Sequence, residues 1–138
     1  MPRKDVLHDV VKRALVKDGW SITHDPLRVE FGGLEFYVDL GAEELLGAQK
    51  DDRKIAVEVK SFIAASTLSE FHTAVGQFVN YRLVLTETEP ERTLYLAVPE
   101  VIYTSLFDTT FGRLAMQAHQ LKVMVFDEQQ EVIVQWIE

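Results

Sequence analysis

Leu7, Val10, Val11, Ala14 and Leu15 recur at the spacing of one helix face, which predicts an amphipathic helix over about residues 3–18, stopped at Gly19. Trp20-Ser21-Ile22-Thr23-His24 then alternates like a strand and is ended by Asp25-Pro26. Val29-Glu30-Phe31 runs into a turn at Gly32-Gly33, and Glu35 to Leu40 reads as the next strand. A polar connection follows from Gly41 to Arg53, with a short helix expected at Ala42–Leu46. Lys54 to Lys60 is the clearest strand of the chain. A second helix is predicted from about Leu68 to Leu85, with Thr67 and Glu70 as a capping box and an apolar face through Leu68, Phe71, Val75, Phe78, Arg82 and Leu85. Thr93 to Val98 is apolar throughout, as a central strand would be. Residues 101–118 read as helix, interrupted near Thr109–Gly112, and two strands close the chain at Lys122–Phe126 and Glu131–Ile137. The order αβ(β)ββαβαββ predicts an α/β or α+β fold, a mixed sheet flanked by helices in one domain over residues 1–138.

Alternation places Ala56, Glu58 and Lys60 on one face of the clearest strand and Ile55, Val57 and Val59 on the other. The β-branched face must pack. The other face sets a carboxylate and an ammonium two residues apart, about 7 Å along the strand. If the strand before it pairs alongside, Asp39 approaches Glu58. Two converging carboxylates make a hard-oxygen site suited to Mg²⁺ or Mn²⁺, with Lys60 placed to stabilise developing charge. The same Glu-x-Lys on an edge strand would be only a solvated face or a weak ion pair. On the following helix Gln77 and Tyr81 stand one turn apart on one side, with an amide and a hydroxyl to offer. An ordinary boundary pair would look the same.

Charge narrows the partners. The chain carries 22 acidic and 14 basic residues, a net charge of −8, which argues against non-specific coating of nucleic acid. Residues 1–86 hold 13 acids and 11 bases, whereas 87–138 hold nine acids and three bases. An anionic substrate is therefore expected to meet the N-terminal half, where Lys12, Arg13 and Lys17 offer contacts to a DNA backbone; a solvated helix face accounts for them equally well. Cysteine is absent, so disulfides and thiolate-bound metals are excluded. No apolar run is long enough for a membrane span, and Met1-Pro2-Arg3-Lys4-Asp5 opens no signal peptide, so a cytoplasmic location is expected.

Asp39, then Glu58-Val59-Lys60, then Gln77-x-x-x-Tyr81 resembles the PD-(D/E)XK nuclease signature, in the form with Gln-x-x-x-Tyr seen in RecB-type nucleases. Val38 stands where the name-giving proline would be. The resemblance implies a restriction-endonuclease-like core, with Asp39 and Glu58 as metal ligands, Lys60, Gln77 and Tyr81 as catalytic partners, and His8 on the first helix as a further ligand. A half-buried helix histidine would serve without any ligand role.

Over essentially its whole length the chain also resembles the XisH family, the fdxN-element excision controlling factors of cyanobacteria. The matching stretches are Lys4-Asp5-x-x-His8, Lys17-Asp18-Gly19-Trp20-x-Ile22-Thr23-His24-Asp25-Pro26, Tyr37-x-Asp39-Leu40-Gly41-Ala42-Glu43, Lys54 to Phe62 and Val134-Gln135-Trp136-Ile137. This implies a role in programmed DNA excision beside a small partner, XisI, and two functional expectations follow. One is a Mg²⁺-dependent endonuclease acting on DNA; the other is a non-catalytic controlling factor that keeps the nuclease fold as a scaffold. The strand Val132–Ile137, apolar on both faces, should be buried by the core or by another chain, which points to a homodimer or a complex with the partner factor.

Overall fold

The computed structural model describes residues 3–44, 53–62 and 66–138, with side chains from residue 6 onward. In chain order the elements are α1 (Arg3–Lys17), β1 (Trp20–His24), β2 (Leu27–Phe31), β3 (Leu34–Val38), β4 (Leu40–Glu44), β5 (Arg53–Val59), α2 (Thr67–Thr88) and β6 (Arg92–Pro99). Then come α3 (Glu100–Ile102), which continues into a π-helical turn (Tyr103–Phe107), α4 (Thr110–Ala118), β7 (Val123–Asp127) and β8 (Val132–Ile137).

A six-stranded mixed sheet in the order β1-β4-β5-β6-β7-β8 forms the middle layer, and β2 and β3 form a separate hairpin. The two central pairings, β5 with β6 and β6 with β7, are parallel and the others antiparallel. Alternation along β5 divides the core in two. Ile55, Val57 and Val59 pack under α1 with Leu7, Val10, Val11 and Leu15. Ala56 faces the other core, built on α2 through Phe71, Ala74 and Phe78 and joined by Leu27, Val29 and Val38 of the hairpin. Apolar burial on both faces accounts for the unbroken hydrophobic run of β6, which is central as expected.

Three sequence expectations are corrected. The stretch 35–40 is two strands in two sheets: β3 belongs to the hairpin, Asp39 forms the bend, and β4 starts at Leu40. The expected helix at Ala42 onward is strand instead, because Ala42 is buried against Ile55 in the sheet; Leu45 and Leu46 lie outside the described residues. The cap of α2 is Ser66 rather than Thr67, its hydroxyl oxygen accepting from the Ser69 N–H at 3.1 Å.

Candidate functional site

Asp39 stands where the hairpin hands over to the sheet. The pairing of Leu40 with Val57 sets Asp39 beside Glu58 at the next position of the ladder, and the Val59 N–H donates to Asp39 Oδ2 at 2.8 Å. Asp39 and Glu58 therefore come to neighbouring positions of adjacent strands, through β4 rather than through one long strand. Glu58 is 6% exposed on the α2 side of the sheet, a burial that carboxylates rarely tolerate. Lys60 follows β5, and its N–H donates to the Ala97 carbonyl at 3.1 Å, which carries the parallel ladder past Val59 and keeps Lys60 on the parity of Glu58.

From the helix side Tyr81 closes the arrangement. Burial, followed by the charges of Glu58 and Asp39, holds its phenol above the ordinary tyrosine value, so both carboxylates lie within electrostatic reach of the hydroxyl. Gln77 lies one turn earlier on the same side of α2, and its Oε1 is buried without a hydrogen-bond partner among the described residues. An orphan acceptor of this kind costs stability unless a donor reaches it. Phe36 was missed from the sequence: its ring meets Tyr81 edge-on, with centroids 6.4 Å apart, and props the phenol from the hairpin. The signal was the shared parity of Phe36 and Val38 in β3.

The N-terminal candidates lie elsewhere. His8 is on α1, across the sheet from Glu58, and its Nε2 bonds Asp25 Oδ1 at 2.8 Å; no group of three histidine, aspartate or glutamate side chains able to hold a metal occurs among the described residues. His8 is thus not brought to Asp39 and Glu58. Lys12 donates to the other Asp25 oxygen at 2.6 Å, and despite the desolvation Asp25 suffers these two donors hold its carboxyl below the ordinary aspartate value. Arg13 donates to Glu131 through Nε at 2.8 Å, and Lys17 to the Gln130 carbonyl at 3.0 Å. All three cations proposed for DNA pin α1 to the β1–β2 and β7–β8 turns. Glu43 and Glu44 face Arg92 and Arg53 at 3.8 and 3.3 Å rather than Asp39.

Asp39 thus has two separable roles, as backbone acceptor and as negative charge. Asp39→Ala should cost about 1–3 kcal/mol, because the part-buried Val59 N–H loses its acceptor. Asp39→Asn keeps an oxygen for that N–H and should cost less than about 1 kcal/mol. Urea unfolding of the two variants checks this, and equal losses would show that the bond carries no weight.

Fold and site together define a mixed α/β protein, a central sheet flanked by helices, in which Asp39 and Glu58 stand on neighbouring strands and Tyr81 approaches them from the middle of α2. The chain belongs to the XisH family, whose profile, described as XisH protein, matches residues 1–134. It is similar to the crystal structure of an XisH family protein from Nostoc punctiforme, with 49% identity over 97% of this chain and 100% of that one and a TM-score of 0.89. It is equally similar to an fdxN element excision controlling factor protein from Anabaena variabilis, with 50% identity, coverage of 97% and 99%, and a TM-score of 0.88. No curated protein sequence matches the chain. Among the described residues no helix is long and apolar enough to cross a membrane.

Proposed function

We propose that this chain is an excision-controlling factor, a regulatory protein of programmed DNA excision that acts through a partner protein. The observation that carries this is the 50% identity, over nearly the full length of both chains, to a protein named as such a factor. Charge supports it. A chain of net charge −8 whose Lys12, Arg13 and Lys17 are held by its own acceptors is poorly equipped to grip a duplex alone. DNA contact is then delivered by the assembly, with a second excision factor such as XisI as the expected partner.

A second reading rests on one specific observation, Asp39 and Glu58 abreast in the ladder with Tyr81 beside them. In this reading the site cleaves phosphodiester bonds in the PD-(D/E)XK manner. The donor set fits a hard divalent cation, since both carboxylates are paired across adjacent strands and the orphan Gln77 oxygen still wants a donor. Asp39 and Glu58 would hold Mg²⁺ or Mn²⁺, and when bound the ion supplies polarisation of a phosphate oxygen and a lowered pKa for water. Lys60 offsets charge that develops on the phosphate. The Gln77 oxygen accepts from an attacking water, and Tyr81 donates to a backbone oxygen of the strand.

One experiment separates the two readings. Excision of a plasmid-borne element is measured in cells supplied with the partner factor and with wild type, Asp39→Asn or Glu58→Gln. The regulatory reading expects both variants to support excision within about twofold of wild type. Cleavage at this site expects a loss of at least about 100-fold, matched by loss of Mn²⁺-dependent nicking of supercoiled plasmid by the purified chain. That outcome would overturn the regulatory reading.

A further inference from the structure

In this acidic chain an arginine usually has a carboxylate beside it. Arg13, Arg28, Arg53, Arg92 and Arg113 pair with Glu131, Glu35, Glu44, Glu89 and Asp108 in turn. Arg82 pairs with no carboxylate among the described residues. Its Nη1 donates instead to the His119 and Gln120 carbonyls at 2.9 and 2.8 Å, and its guanidinium lies 5.2 Å from the centre of the Phe78 ring. Capping the end of α4 accounts for that one nitrogen. Nε and Nη2 keep donors that no described residue accepts, on a guanidinium already held in place.

Arg82 lines two adjoining recesses beneath the last turns of α2. The smaller, of about 180 Å³, sets Arg82, Arg92 and Lys122 among the apolar Leu85 and Leu94, and no carboxylate lines it. The Arg92 side chain is 2% exposed and fixed by Glu89 at 2.9 Å and the Ile55 carbonyl at 2.8 Å. Lys122 makes no side-chain hydrogen bond or ion pair among the described residues. The larger recess, of about 370 Å³, shares Arg82 and Lys122 and continues past Gln117, Gln120, Met116 and Leu121. Glu138 is its one acid, and that carboxylate accepts from the Tyr95 hydroxyl. Arg92 stands level with Lys54 at the start of the parallel pair β5 and β6, so the recesses lie at the end of the sheet opposite Glu58 and Lys60.

We propose that the two recesses form a binding site for a small phosphomonoester, with its phosphoryl group between Arg82 and Lys122 and its polar body beside Gln117 and Gln120. The ligand class follows from the walls. Arg92 is already offset by Glu89, which leaves two cations without a carboxylate, Arg82 and Lys122. A phosphomonoester carries about −1.5 to −2 charges at pH 7 and matches both, whereas a carboxylate would match one. A guanidinium fork suits two phosphoryl oxygens, and the ammonium adds a point charge. The glutamine amides donate and accept, as hydroxyls or ring nitrogens of the body require. Small-molecule sites run from roughly 300 Å³ upward, a size the larger recess meets and one that a duplex could not enter.

The proposal goes beyond the excision-control reading and uses none of the residues assigned to cleavage. The intact protein is titrated calorimetrically with ribose 5-phosphate and adenosine monophosphate, with ribose, adenosine and inorganic phosphate as controls. At least one ester is expected to bind with a Kd below about 1 mM, at least about tenfold tighter than its phosphate-free control and than inorganic phosphate. Amide NMR shifts are expected at Arg82 and over Gln117–Lys122. Lys122→Gln removes a charge that the fold does not use and should weaken binding at least about fivefold. Arg82→Lys keeps a donor for the α4 carbonyls and provides a second variant should the first fail to fold. No binding of either ester at about 10 mM, equal binding of ester and control, or an affinity unchanged by both substitutions would overturn the proposal. So would shifts confined to Asp39, Glu58 and Tyr81, or displacement of the ester by a lower concentration of a single-stranded oligonucleotide, which would make the phosphate that of a nucleic acid.

Discussion

Alanine in place of Phe107 is expected to lower unfolding free energy by about 3–5 kcal/mol. Phe107 is fully buried at the end of the π-helical turn, where its ring meets Phe62 at 5.9 Å, Phe71 at 5.2 Å and Tyr103 at 6.3 Å. The first two contacts are edge-on, a geometry worth roughly 0.5–1.5 kcal/mol beyond the area buried. Phe62 has a φ of +56°, a left-handed conformation that costs a non-glycine residue on the order of 1–3 kcal/mol. Packing against Phe107 offsets that strain, and Phe62 lies two residues beyond Lys60. The aromatic cluster thus fixes how the chain leaves β5 and where the lysine of the site begins its reach. Phe107→Leu keeps most of the volume and should cost under about 1.5 kcal/mol. Urea denaturation of both variants is the measurement; a loss below about 1.5 kcal/mol for alanine would show that Phe62 holds its conformation without this ring.

The candidate site was more legible than the topology that builds it. Glu58 and Lys60 stood out because ionisable side chains interrupt and close the apolar run Ile55–Val59, with Asp39 ending the extended stretch before it, and alternation alone says which neighbours of Glu58 share its face. Gln77 and Tyr81 followed from helical spacing. The break at Asp39 left no such mark. Strands β3 and β4 run on as one extended stretch, and only the tertiary choice of partner, β2 for one and β5 for the other, divides them. Nor could sequence say how Lys12, Arg13 and Lys17 are used. Their acceptors are Asp25, Glu131 and the carbonyl of Gln130, and the last two lie more than a hundred residues away. The parity of β8 failed for a local reason, since one bulged residue at Val134 shifts every side chain after it to the other face.

The interruption expected near Thr109–Gly112 is real, and it leads to the other large expected effect. The Thr109 hydroxyl caps α4 by accepting from the Gly112 N–H at 3.0 Å, and the cap draws the new helix tightly against the π-helical turn. A Cβ on Gly112 would lie 2.2 Å from the Leu106 oxygen and 2.3 Å from that of Phe107. Both obstacles are backbone, so no rotamer change relieves them, and the turn carrying Phe107 would have to move. Gly112→Ala should therefore cost at least about 3 kcal/mol, the upper end of overpacking penalties. Gly76 supplies the internal control. It sits within α2, where an added Cβ meets nothing within 4 Å, so Gly76→Ala should gain about 0.5–1 kcal/mol from helix propensity and a less flexible unfolded chain. Opposite signs for the two substitutions in one urea series are the expected result. A loss at Gly112 no larger than about 1 kcal/mol would mean that the π-helical turn yields readily, and the aromatic support it gives to the strand end beyond Lys60 would then be soft rather than fixed.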